Sequence, residues 1–324
     1  MNYAEIIHDA WRLTVNTGKL KWLCFCSSFA AVIFFVAEIL WQAGLLSEEL
    51  GIIEHSYVYS KIGDGFKFLM HNNLLGWALF LGIFVLLFQF ALPSWILSSL
   101  ILGIKRKFTF PEKYLSVRQI ITDGFQYFPK LVELHAIFSP FSFMTITFFS
   151  MTLYRYYHGE FYSHVFIPAI IVFACFSLIV NVFTVFCPFF IILEDSPVML
   201  SIKKSIGLVF INLEVTLSVI LIMMLVNIRV IINVIVVLGV PMGLFFALSF
   251  FAKSAWFGFA IVTVSIIGIG LLALSAYLTA IIEVFSNAVW VRSYEILRAK
   301  QEADKKELEN ASEMSHETSS EMES

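Results

Sequence analysis

From Asn73 to Ile104 the chain carries no charged side chain. At about 1.5 Å per helical residue, such a run outlasts the roughly 30 Å hydrocarbon core of a bilayer. Further apolar runs follow along the chain, separated by short charged stretches. Soluble domains carry about 25% charged residues. Here the charged share is 14%, the hydrophobic share 59% and the mean hydropathy +0.86. The pattern predicts an all-α polytopic membrane helix bundle over residues 1–298, with spans at about 22–45, 73–103, 131–154, 164–193, 207–237 and 256–291. Residues 1–19 are polar, and the apolar run after them is too long for the core of a cleavable leader, so the first span is expected to stay. Residues 299–324 are charged and Ser-rich; they read as a helical extension to about 309, then a largely disordered cytoplasmic tail.

Three polar stretches keep an apolar stripe at helical spacing. The first, 3–17, carries Ile6, Ala10 and Leu13, with Ile7 and Trp11 beside them. The second carries Val117, Ile120, Ile121, Gly124, Phe125 and Phe128. The third, within 194–215, carries Val198, Ile202, Ile206 and Val209. Asn2 with Glu5 and Ser116 with Gln119 are spaced as capping boxes, and Ser196 precedes Pro197 as an N-cap precedes a first-turn proline. Each stretch holds a small residue followed by a large apolar one: Ala10-Trp11, Gly124-Phe125 and Ser205-Ile206. Each precedes a membrane hairpin. The chain therefore reads as three copies of an interfacial amphipathic helix plus a hairpin.

Loop charges set the orientation. With the N-terminus inside, all but five of the 21 Lys and Arg residues fall in inner segments. The exceptions are Lys61, Lys67, Arg155, Arg229 and Lys253. This bias fits six spans, three interfacial helices on the cytoplasmic side and both termini in the cytoplasm. Gly239-Val240-Pro241-Met242-Gly243 interrupts an apolar run. A seventh span there would put the basic C-terminal flank outside, so an interfacial or re-entrant turn is expected.

Several of these features occur together: Cys187-Pro188-Phe189-Phe190 near the end of the fourth span, the acidic Glu194-Asp195, and then Ser201-Ile202-Lys203-Lys204-Ser205 before a long apolar run. Together they resemble bacterial six-span integral membrane proteins of unknown function, akin to the membrane domain of glycerophosphodiester phosphodiesterases. The resemblance covers most of 1–295. It implies a membrane module without the catalytic domain, and no hydrolase activity. It supplies no site residues.

Ionisable groups inside spans are costly and often functional, so they are the site candidates. Glu214 lies ten residues past Lys204, a depth of roughly 15 Å, and Glu283 lies nine before Arg292, roughly 13 Å. With His135 and Asn287 they form a candidate inner-half polar cluster, where close carboxylates would share a proton. The competing reading has each of them snorkel to the inner surface or bond a neighbouring helix. Glu38 and Arg229 form a candidate intramembrane ion pair. Gln89 and Asn181 are expected to make interhelical hydrogen bonds.

All four cysteines lie within apolar runs, and neither they nor the scattered histidines show metal-ligand spacing. No catalytic, cofactor or metal residues are assigned, and nothing in the motifs points to nucleic acid. The expected partners are the lipid bilayer, its anionic head groups through Lys105-Arg106-Lys107 and Lys203-Lys204, and unidentified proteins. The leading expectation is a non-enzymatic scaffold or helper in the cell inner membrane that contacts lipid. The alternative is a small-solute or proton-coupled transporter or channel using the acidic cluster.

Overall fold

The computed structural model describes residues 3–49, 74–111, 116–156, 162–249 and 257–322, with isolated positions at 64, 67, 68, 70 and 71. Among the described residues the chain is all-helical, with no strand. The helices are α1 (Tyr3–Asn16), α2 (Gly18–Glu49), α3 (Leu75–Thr109), α4 (Val117–Phe125), α5 (Phe128–Phe138), α6 (Phe143–Tyr156), α7 (Ile167–Thr184), α8 (Cys187–Leu193), α9 (Val198–Ile211), α10 (Leu213–Ser249) and α11 (Phe257–Met322).

By length and composition, two of the described segments could cross a membrane, His164–Leu193 and Val262–Glu307. The number rises to four if two bent helix pairs each count as one span. Tyr3–Asn16 and Gly18–Phe34 meet at 86°, and Val198–Ile211 and Leu213–Val226 meet at 99°.

The contacts divide the chain into two compact units. The first comprises Met1–Asn16, Leu97–Met224 and Phe285–Ser324. The second comprises Thr17–Ile96 and Leu225–Val284. In the second unit, Trp22 packs against Phe25 and Tyr277, and Phe25 stacks on Phe29, which joins α2 to α11.

The first unit shows how breaks in long apolar runs are accommodated. The expected span 131–154 is interrupted at Ser139–Phe141, a single 3-10 turn holding Pro140. Proline has no N–H to continue the helical ladder. Ser142 restarts it as a cap, accepting the Thr145 N–H at 3.1 Å. The carbonyl of Phe141 is bonded from α7 instead: Ser177 Oγ donates to it, and Asn181 Nδ2 donates at 3.0 Å. Asn181 thus makes the interhelical bond its position suggested. A second break, at Val185 and Phe186 ahead of Pro188, is served by Ser205 on α9. Its hydroxyl donates to the Phe183 carbonyl at 2.7 Å and accepts from the Phe186 N–H at 3.3 Å.

Several local expectations change. The Ser116 backbone is extended at the start of α4, but its side chain makes no capping bond. Pro197, not Ser196, is the N-cap of α9. Ser196 Oγ instead accepts from Lys204 Nζ at 2.9 Å. Asn2 lies outside the described residues. The helix after the third stretch opens at Leu213 rather than near 207, because the chain bends at Asn212. Helix α10 runs through Gly239–Gly243 to Ser249, so the backbone is helical where a turn around Pro241 was expected. The tail, expected to be largely disordered beyond about 309, is helical as far as Met322. No Gly or Pro follows Gly270 to stop α11, and Arg298 pairs with Glu302 one turn on, at 3.4 Å.

Candidate functional site

The densest charged arrangement in the first unit lies at the turn between α8 and α9. Glu194 ends α8, and Asp195 turns the chain with a left-handed φ of 51°, a conformation that Asp tolerates better than most residues. Lys130 Nζ holds Asp195 Oδ1 at 2.7 Å. The Glu194 carboxylate takes a hydrogen bond from Lys204 Nζ at 2.7 Å and one from the Tyr294 hydroxyl at 2.7 Å. Arg298 Nε forms an ion pair with it at 2.9 Å. Glu194 thereby ties α8, α9 and α11 together.

Rings surround this node. Tyr294 meets the edge of Phe190 at 5.1 Å and stacks on Phe189 at 5.8 Å between centroids. Trp290 meets Phe186 edge-on at 5.6 Å. Lys204 and Arg298 each stand about 6 Å from the Phe190 centroid, within cation–π range. Burial pushes the Glu194 carboxyl up. The hydrogen bonds from Lys204 and Tyr294 and the charges of Arg298 and Lys204 outweigh that, and the group is held below its ordinary value. The node is an electrostatic clamp whose carboxylate is already engaged by three partners.

The sequence-derived candidates fall as follows. Glu214 stands in the first turn of α10, with its side chain exposed. Most of the ten residues counted as depth between Lys204 and Glu214 belong to α9, which meets α10 at 99°. They run across α10, not along it, so the count gives no depth. A first-turn acid also suits the positive end of the helix dipole. Glu283 does lie on the same continuous helix as Arg292, and its carboxylate accepts a hydrogen bond from Ser28 Oγ at 3.0 Å. Ser28 is buried on α2, as is Cys24 one turn before it. His135 is exposed on α5, and Asn287 is half-buried on α11. Glu214, His135 and Asn287 belong to the first unit and Glu283 to the second. The Glu38 and Arg229 side chains lie outside the described ones. Among the described residues, no three His, Cys, Asp or Glu side chains group as metal ligands.

Among the charge pairs not foreseen from the sequence, three share a pattern. Asp9 approaches Arg292 at 3.9 Å, Asp123 pairs with Arg106, and Lys204 pairs with Glu194 at 2.7 Å. In each, one partner immediately precedes the small residue of a small–large pair. The signal was therefore present, one position upstream of the residues already singled out. No family model, no curated protein and no solved structure matches this chain.

Proposed function

We propose that this chain is a multi-pass protein of the cell inner membrane that works without catalysis, as an envelope scaffold or helper in contact with lipid. In this reading it crosses six times, keeps both termini in the cytoplasm and lays α1, α4 and α9 along the inner face. The resemblance to the membrane modules of glycerophosphodiester phosphodiesterases is part of the same proposal.

The observation that carries it is the outer surface of α7. Val172, Phe176, Leu178 and Ile179 are each more than half exposed. A contiguous apolar surface of that kind needs hydrocarbon rather than water around it. The near-perpendicular bends at Thr17 and Asn212 suit helices that leave a span and run in the plane of the interface. Exposed Arg12, Arg118 and Lys203 suit anionic head groups. The strongest charge cluster, around Glu194, is engaged within the protein, which favours a structural role over turnover.

A cysteine placed at Arg118 and probed with a membrane-impermeant maleimide tests the threading. Labelling only after the membrane is opened is expected, and labelling of intact cells from outside would sink the topology. Carrier activity is the second reading, favoured by the Glu283 carboxylate bonded to Ser28 between two helices. Liposomes containing the purified chain and a pH-sensitive dye separate the two. No protein-dependent proton flux is expected from a scaffold, and flux would establish the carrier.

A further inference from the structure

The three inner helices carry the same three-residue word: charged, small, large. In α1 it is Asp9-Ala10-Trp11, in α4 Asp123-Gly124-Phe125, and in α9 Lys204-Ser205-Ile206. The small residue is buried in every copy, and the large residue after it is exposed, at 52%, 56% and 42%. The residue one turn before the small one, Ile6, Ile120 or Ser201, is also buried.

The second and third words meet segments just before them in the chain. The Gly124 carbonyl accepts from Ser98 of α3, and Asp123 reaches Arg106 farther along that helix. Ser205 bonds the backbone at the end of α7, and Lys204 reaches Glu194 beyond α8. For α1 the corresponding contacts are with α11. Trp11 meets Phe285 of α11 edge-on at 6.0 Å between centroids, and Asp9 reaches Arg292 on the same helix. From the span residue that the word touches to its charge partner is seven or eight positions in the first two copies and eight to eleven in the third, where the span is broken at Pro188.

We propose that this word is one docking device used three times, seating α1 on α11, α4 on α3 and α9 on the α7–α8 segment, with its charge serving as the key to each seat. The polarity carries information. Asp9 and Asp123 meet arginines, whereas Lys204 meets a glutamate. The third helix in either of the other seats would set lysine against arginine, and the first or second helix in the third seat would set aspartate against glutamate. Like charges at such distances repel, most strongly where water is partly excluded. The small residue lets the backbones approach, and the charge decides which helix does so.

A charge-swap series on the full chain in lipid nanodiscs tests the device. A cysteine at Ile120 reports the α4 seat, with Cys26 and Cys175, the two exposed natural cysteines, changed to Ala. Asp123→Arg is expected to expose the reporter to maleimide and to lower the melting temperature by about 2–4 °C. Adding Arg106→Asp restores the pair with its polarity reversed and is expected to return both readouts most of the way. At the third seat, Lys204→Asp is expected to melt below Lys204→Ala, since a key of the wrong sign is worse than none. The proposal is overturned if Asp123→Arg leaves the reporter protected, if the double swap is no better than the single, or if Lys204→Asp and Lys204→Ala melt together.

Discussion

The Ser98 hydroxyl donates to the Gly124 carbonyl oxygen at 2.8 Å, so α3 and α4 meet with a backbone on one side of the contact. A methyl group on Gly124 would come within 2.8 Å of the Ser99 nitrogen and 2.9 Å of its Cα. Backbone cannot swing aside as a long side chain does. Gly124→Ala is therefore expected to cost about 1–3 kcal/mol by overpacking, although alanine is the better helix former. Gly124→Val should cost more. Thermal unfolding in nanodiscs measures both, and an alanine variant as stable as the parent would show that the two helices have room to part.

Tyr294 contributes a ring and a hydroxyl, and the two can be separated. Tyr294→Phe keeps the packing on Phe189 and Phe190 and removes the bond to Glu194. A hydrogen bond to a charged group is worth about 1.5–3 kcal/mol. Here the carboxylate keeps Lys204 and Arg298, so a loss near the lower end is expected. Tyr294→Ala should add the cost of lost aromatic packing, for a total of about 3–5 kcal/mol. Equal stabilities for the Phe and Ala variants would mean that the ring does not hold the node together.

Acid should open the Glu194 clamp. Its carboxyl is held below the ordinary 4.5, so the native state favours the ionised form more than the unfolded chain does. The resulting stability is fully present above that ordinary value and is lost as pH falls through the lower native one. Melting temperatures taken from pH 7 down to pH 3 should drop below about pH 4.5 in the parent. In Glu194→Gln the same fall should be shallower and start from a lower plateau. Parallel curves for the two proteins would rule Glu194 out as a source of acid sensitivity.

Glu283→Gln distinguishes a structural carboxylate from a proton carrier. Glutamine keeps an oxygen that can accept from Ser28, so the variant is expected to melt within about 2 °C of the parent, like most changes that remove no packing or hydrogen bond. A scaffold gives no protein-dependent proton flux in the liposome assay with either side chain. If the parent conducts and Glu283→Gln does not, while folding equally well, Glu283 carries the proton.

What could be read from the sequence was what repeats locally. The apolar runs and the small–large pairs follow from spacing, and the interhelical role of Asn181 from its being a lone amide in an apolar run, but the stripes were legible only in part: Ile6, Ala10, Ile120 and Val198 are buried, whereas Phe125 and Ile206 are exposed. Glu194, Lys203 and Lys204 stood out as a charged break, but Tyr294 and Arg298 lie about a hundred positions away, and no local pattern ties them to it. Asp9 and Arg292 are more distant still. The bend at Asn212 was hidden because the residues on either side are equally apolar, and with it went the depth assigned to Glu214. Pro241 misled in the opposite direction. Proline and glycine signal a turn in water, whereas a long apolar helix can run through them.

The proposed order of the seats has a consequence in time. Asp9 is synthesised long before Arg292, and the proposed seat for α1 does not exist until α11 has been made. Helices α4 and α9 can settle on a neighbour already made. Helix α1 waits for its partner while the residues up to Arg292 are synthesised. A chain stalled before α11 would present an unseated α1, in which Trp11 lacks Phe285 and Asp9 lacks Arg292, and that loose helix would mark it as unfinished.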